Sequence, residues 1–274
     1  DREEPELACS LLLEKSWQQV EMPELATLSH LAFAIGDLLL ESRPDLALAA
    51  FRRVSPLQIL IAEQAEQLAR FRSTIEDRSP TLSVQQSLWS DFYRESLRKL
   101  ERQLEELESC PDYANALALR KALCFARLNR PMEAWILLES LSQSEDPEIA
   151  PQAHLHWIGA ARSLQAWSAA AAIARRYVQL YPDRSDADQA LYWIAQSQID
   201  AGRYDSAIDT LNALLRRTTN PDLHASARYL TGFTFVMTNR IQQAFAAFES
   251  VAKAEPDKSI AGQALLWTGI CHFL

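Results

Sequence analysis

Apolar residues along this chain recur at the three- and four-residue steps of helices, and the whole pattern repeats at a longer period. Four segments superimpose: Ala116 to Leu141, Ala153 to Val178, Gln189 to Leu214 and Ser226 to Val251. A fifth opens at Gln263 with QALLWTGICHFL. A small residue stands in mid first helix at Ala122, Gly159, Ala195, Gly232 and Gly269, in steps of 37, 36, 37 and 37. Twelve residues later comes Ala134, Ala171, Ala207 or Ala244, and four beyond that a bulky Leu138, Leu211 or Phe248. Arg175 breaks the rule, and the alanine run around Ala171 leaves that register open to a slip of one.

The pattern has a physical reason. Two antiparallel helices approach most closely where their contact residues are small, and large residues fill the space on either side. One such pair cannot bury its apolar face alone, so neighbours stack. The prolines fit this division. They fall at expected helix boundaries, with Pro111, Pro147, Pro151, Pro182, Pro221 and Pro256 between repeats. Inside a helix each would cost about 3 kcal/mol. Between paired helices, Ala201-Gly202-Arg203-Tyr204 and Thr238-Asn239-Arg240-Ile241 carry residues that tolerate the left-handed conformation ending a helix.

The front of the chain departs from this period. Residues 26–54 read as one more repeat, with Gly36, Ala47, Phe51 and Val54 in the expected places and one residue fewer in the turn. Pro5 to Trp17 reads as a lone second helix. Two long helices are expected at about Leu57–Asp77 and Leu82–Ser109, joined by Arg78-Ser79-Pro80. The second carries Tyr93, Leu97, Leu100, Leu104 and Leu107 in alternating four-three steps, a seam of about two heptads. Two uses fit this seam: a hairpin packing on itself and its neighbours, or an arm for oligomerisation or partner docking. The organisation is thus 1–54 as partial and full repeat, 55–110 as helical hairpin, and 111–274 as four repeats plus the first helix of a fifth. Both ends fall in mid-repeat, so flanking sequence is expected to continue the array.

These positions resemble the tetratricopeptide repeat family: a small residue, an aromatic three later (Phe125 after Ala122), alanine in the second helix, a bulky residue, then proline, as in Ala244, Phe248 and Pro256. Arg162 and Gln198 stand where the aromatic would be. The resemblance implies an all-α, right-handed solenoid of antiparallel helix pairs. The long period, and ALYWIAQSQIDAGRYDSAIDTL in particular, resembles the bacterial cell-envelope subclass of outer-membrane assembly lipoproteins and Tol–Pal coordinators. In the family the concave face is lined by first helices, at positions three before, one after and four after the small residue. Here these are Leu119, Leu123 and Ala126; His156, Ala160 and Ser163; Tyr192, Gln196 and Ile199; Tyr229, Phe233 and Val236; and Leu266, Ile270 and Phe273. The expected partner-binding groove is His156, Tyr192, Gln196, Tyr229, Phe233 and Leu266. Tyrosine and phenylalanine are typical anchors for a peptide or helical segment, although the same residues could instead pack against adjacent repeats. The family's two-carboxylate clamp needs lysine, asparagine and arginine at inner positions that hold leucine, histidine and tyrosine here.

Composition changes the picture little. Six glycines among 274 residues leave few tight turns, and 48% hydrophobic with 23% charged residues is ordinary. The formal net charge of −9 disfavours binding to phosphate backbones. No window approaches the roughly 18 apolar residues of a membrane span. Nucleotide-binding, metalloprotease and nucleophile-elbow motifs are missing. His154 and His156 point about 200° apart on a helix, so they cannot share a metal in the i, i+4 manner. No cofactor is expected. The four cysteines are spaced as free, packed thiols. The reading is a non-catalytic scaffold that binds protein segments. The alternative is a structural module self-associating through the hairpin and the solenoid ends.

Overall fold

The first helix pair is α2 (Glu24–Leu39) with α3 (Pro44–Arg53), joined by a short turn and preceded by α1 (Glu3–Glu14). The computed structural model describes residues 3–14, 24–78, 86–254 and 259–273. The end of the helix expected to reach Trp17, the start of the one expected from Leu82, its Ser79-Pro80 connector, and Pro256 lie outside these. All regular structure among the described residues is helical. By spatial clustering the chain forms two compact units, Asp1–Arg130 and Pro131–Leu274.

In the first unit, α1 packs on both α2 and α3. Gly36 explains the closeness of that pair: a Cβ there would lie 2.5 Å from the Phe51 ring, which is fully buried. The next two helices, α4 (Leu57–Arg78) and α5 (Gln86–Glu108), pair with each other. The heptad seam faces into this pair: Gln64 on α4 bonds to Leu100 and Gln103 on α5, Phe71 meets Tyr93, and Arg72 pairs with Glu101. Then α6 (Ala114–Arg127) returns to pack on α3, its Leu117 and Cys124 joining the core of Cys9, Ile35, Leu39 and Phe51. The hairpin is therefore an excursion from the stack, which resumes where it left off. Its two ends are drawn together by the Tyr113 hydroxyl, which donates to the Ser55 carbonyl at 2.6 Å.

The second unit holds α7 (Pro131–Leu141), α8 (Ile149–Ser163), α9 (Trp167–Leu180), α10 (Ala187–Asp200), α11 (Tyr204–Arg217), α12 (Pro221–Met237), α13 (Ile241–Ala254) and α14 (Ser259–Phe273). Sequential helices pack on each other throughout, and α8, α10, α12 and α14 also touch in series, forming one layer. The segment Ala116 to Leu141 spans the division between units, α6 in the first and α7 in the second.

The first helices of four repeats end in the same way. Asn129, Gln165, Gly202 and Asn239 all adopt positive φ, between 56° and 72°. In each case the N–H of the following residue reaches back to the carbonyl five before it: Arg130 to Phe125, Ala166 to Ala161, Arg203 to Gln198 and Arg240 to Phe235, at 2.7–2.9 Å. This is the Schellman closure of a helix C-terminus. Asn220 opens α12 from the other side, its side chain accepting from the N–H groups of Asp222 and Leu223 ahead of Pro221 in the first turn. Pro151 differs from expectation: it is the third residue of α8, where a missing N–H costs no helical bond.

These markers fix the uncertain register. Ala134, Ala207 and Ala244 each stand five after the left-handed residue, and Gln165 puts Ala170 in that place, not Ala171. Four further on is Ala174, fully buried, while Arg175 is exposed. The first-helix position then belongs to Ile158, fully buried, and not to Gly159, where a Cβ would meet nothing within 4 Å. This repeat exchanges the usual sizes: the large residue comes from the first helix and two alanines from the second. Gly269 is equally unopposed, so the small-residue argument applies to Gly36 and Gly232 and fails at Gly159 and Gly269.

Candidate functional site

The layer α8, α10, α12 and α14 carries every residue of the expected groove. Tyr192 and Gln196 stand on α10, one turn apart and half-buried. Gln196 accepts a hydrogen bond from Arg162 Nη2 of α8 at 2.6 Å. The Nε of Arg162 is buried without a partner among the described residues. The Arg162 charge also reaches Tyr192 and Asp200: burial pushes both their pKa values up, and the guanidinium opposes the rise in each.

Arg162 is a residue that the repeat pattern hid. With Ile158 as reference, the inner positions of its repeat are Leu155, Gly159 and Arg162, not His156, Ala160 and Ser163. His156 is exposed and one position off that row, while Ala160 is buried. Leu119 and Ile199, also expected to face inward, lie in the core. The signal that would have found Arg162 is Gln165, an unusual left-handed residue among the glycine and asparagines of the sister turns.

Tyr229 is built into packing within its repeat and Phe233 into packing between repeats. Tyr229 sets its ring edge-on to Phe248 at 5.5 Å, and Phe233 does the same to Trp267 of α14 at 5.7 Å. Phe248 stacks on Trp267 at 5.8 Å and lies against Gly232, where a Cβ would come within 2.9 Å of its ring. Both residues stay half-exposed, so the aromatic edges are presented while the rings are held. The hydroxyls of Tyr192 and Tyr229 have no hydrogen-bond partner among the described residues, and burial raises the Tyr192 pKa, with Tyr229 adding to the rise. Leu266 on α14 is 66% exposed, and Phe273 more so.

Beneath this layer several polar groups are spent on structure. The fully buried Tyr177 gives its hydroxyl to Asp186, which Arg184 also holds, fixing the loop between α9 and α10. Burial, and after it that contact, drives the Tyr177 pKa far up. Thr210 donates to Gln198 at 2.9 Å across the α10–α11 pair, accounting for one polar departure from the repeat pattern. Cys9, Cys110, Cys124 and Cys271 are all free thiols, and burial raises Cys124 to about 11. Among the described residues no group of three potential metal ligands gathers, and no helix is long and apolar enough to cross a membrane.

Residues 189–217 match a tetratricopeptide repeat family model. No curated protein sequence matches the chain. Among solved structures, YrrB, a TPR protein with an unusual peptide-binding site, aligns at 18% identity and TM-score 0.45, over 71% of this chain and 96% of that one. A tetratricopeptide repeat protein from Parabacteroides merdae aligns at 14% and 0.43, over 96% and 99%. A signal transduction ATPase with numerous domains and a tetratricopeptide repeat sensor, from Pyrococcus horikoshii, aligns at 12% and 0.54, over 93% of this chain and 44% of that one. The chain thus has the all-helical fold of tetratricopeptide solenoid proteins, with a match to that family's repeat model at residues 189–217.

Proposed function

We propose that this protein is a non-catalytic scaffold and that the first-helix layer of its second unit binds an extended or helical segment of a partner protein. The tetratricopeptide fold generally serves protein–protein interaction. The observation that carries the reading is the pair Tyr192 and Tyr229. Their rings are immobilised by packing and their hydroxyls are unspent, so the ordering cost of an interface anchor is met before the partner arrives. Arg162 and Gln196 supply a fixed polar clamp beside them, Phe233 and Leu266 extend the apolar floor, and His156 lies at the exposed edge.

The test must spare the core. Tyr229→Ala would open a cavity beside Phe248, so phenylalanine is the useful substitution. The Tyr192→Phe, Tyr229→Phe double variant keeps both rings and should lose partner capture several-fold while its helical circular dichroism is unchanged. Equal capture by both proteins would remove this face from the function.

A second reading, self-association, draws on the exposed apolar residues Phe92 of the hairpin and Leu265, Leu266 and Phe273 of α14. It requires a mass by light scattering that rises with concentration; a constant monomer mass rejects it. The bacterial cell-envelope setting belongs to the proposal as well and rests on the resemblance of residues 190–211; fractionation of the source cells tests it.

A further inference from the structure

The first unit contains a recess that the groove above does not use. It lies where the hairpin meets α2, a cavity of ≈ 430 Å³ lined by Ala26, Thr27, His30, Gln64, Gln103 and Glu106, with Leu107 and Cys110. A second cavity of ≈ 300 Å³ adjoins it, sharing His30 and walled by Phe33, Ala34, Val54 and Tyr113, with Ser29 and Asp37. Both volumes lie near the range of ligand sites.

Hydrogen-bonding inventory decides what could fill them. Gln64 is wholly buried. Its amide nitrogen is used twice, donating to the Leu100 carbonyl at 3.2 Å and to Gln103 Oε1 at 3.4 Å. Its Oε1 has no partner among the described residues. A buried carbonyl oxygen left unpaired is unfavourable by about 1–3 kcal/mol, so the site gains from a donor. The Glu106 carboxylate at the rim makes no ion pair among the described residues, although Arg102 lies one turn before it. Two of the nearby donors are already spent. The Tyr113 hydroxyl serves Ser55, and Arg120 serves Asp37 at 3.0 Å while lying 5.8 Å over the Phe33 ring. Glu106 is the one formally charged group in the lining of the larger cavity, and the Gln64 carbonyl is its unpaired buried acceptor. An anion would face Glu106 and the Gln64 carbonyl, and a purely apolar group would leave that carbonyl unpaired.

We propose that this recess is a second recognition site, taking the basic side chain of an arginine or lysine from a partner protein, with an apolar neighbouring side chain lodged against Phe33 and Val54. The guanidinium or ammonium brings the donors that Gln64 Oε1 lacks and the charge that Glu106 lacks. The chain's net charge of −9 favours approach of a basic segment. The hairpin thereby has a role: it forms one wall of a cleft whose other wall is the repeat stack.

Calorimetric titration of the full chain with the capped peptide Gly-Arg-Leu-Gly tests this, against the same peptide carrying uncharged citrulline for arginine. A charge-assisted hydrogen bond is worth enough to change affinity about tenfold or more. Citrulline should lose that factor, and so should Glu106→Gln and Gln64→Leu with the arginine peptide. The exposed Glu106→Gln change leaves the core untouched, so the result stands even if Gln64→Leu folds poorly. The Tyr192→Phe, Tyr229→Phe variant should bind the peptide as the wild type does, which separates this site from the groove of the second unit. Equal binding of the two peptides, indifference to Glu106→Gln, or no binding of either up to millimolar concentration would overturn the proposal.

Discussion

At the scale of single residues, the small positions of the repeat divide into two kinds. Gly232 is small because Phe248 occupies the space a Cβ would need. Gly159 sits in mid-helix with nothing near. Gly232→Ala should therefore destabilise the protein by about 1–3 kcal/mol through overpacking, whereas Gly159→Ala should stabilise it by about 0.5–1 kcal/mol through helix propensity. Denaturant unfolding of the two variants checks this; equal effects would contradict the register assigned to that repeat. A titrating residue offers a second test. His154 is fully buried against Trp157, Tyr177 and Tyr181, with Nδ1 held 3.1 Å from the Ala150 carbonyl and Nε2 unpaired. Burial, and to a lesser extent Arg176, depresses its pKa, while the Ala150 bond works against the fall. In the unfolded chain it takes a proton near pH 6.5. The folded state resists that proton, so stability is full above about pH 6.5 and falls as pH drops below it. Burial, and after it Arg228, acts on His224 in the same direction. Melting temperature should thus decline between pH 7.5 and 5.5, and less steeply in His154→Phe; an unchanged slope would mean that His154 is not the titrating group.

At the scale of elements, helix existence was legible because the apolar period, the prolines and the turn residues all agree. The hairpin too was legible as two long helices. Its place in the stack was not, because nothing local announces that α3 and α6, some 60 residues apart in sequence, are direct neighbours. The register of α9 was hidden for a related reason. In Ala169 to Ala172 every residue fits a small-residue slot equally well, so only the turn conformation at Gln165 distinguishes Ala170 from Ala171. With that register went Arg162, the polar half of the candidate groove. The excursion of the hairpin has a consequence. Since Tyr113 bonds to Ser55 across its base, a short glycine-serine linker in place of residues 58–108 should leave the core of Cys9, Ile35, Phe51, Leu117 and Cys124 intact. Protease resistance of the shortened protein over residues 24–54 and 114–127 is the expected result. Loss of that resistance would show that the hairpin holds the stack together.

At the scale of the whole molecule, two units each carry their own stacked helices, and each offers a different surface chemistry. In the second unit, aromatic rings are fixed by their inner faces and present unspent hydroxyls. In the first, a cleft carrying the Glu106 carboxylate and the unpaired Gln64 carbonyl opens beside the hairpin. What the sequence could convey was the repeat fold and the helix layer that carries the candidate groove residues, because repeat position specifies which helix a residue stands on. It could not convey how deeply Tyr229 and Phe233 are engaged by Phe248 and Trp267, since that depends on side chains from three different helices meeting. The most direct measurement of the central claim is site-specific photocrosslinking in source-cell extract. A benzoylphenylalanine is placed at His156 on the exposed edge of the candidate groove or at Asp209, which is exposed on α11 in the other layer. The account predicts a discrete crosslinked protein from position 156 and none from position 209. The same product from both positions, or one from Asp209 alone, would contradict it.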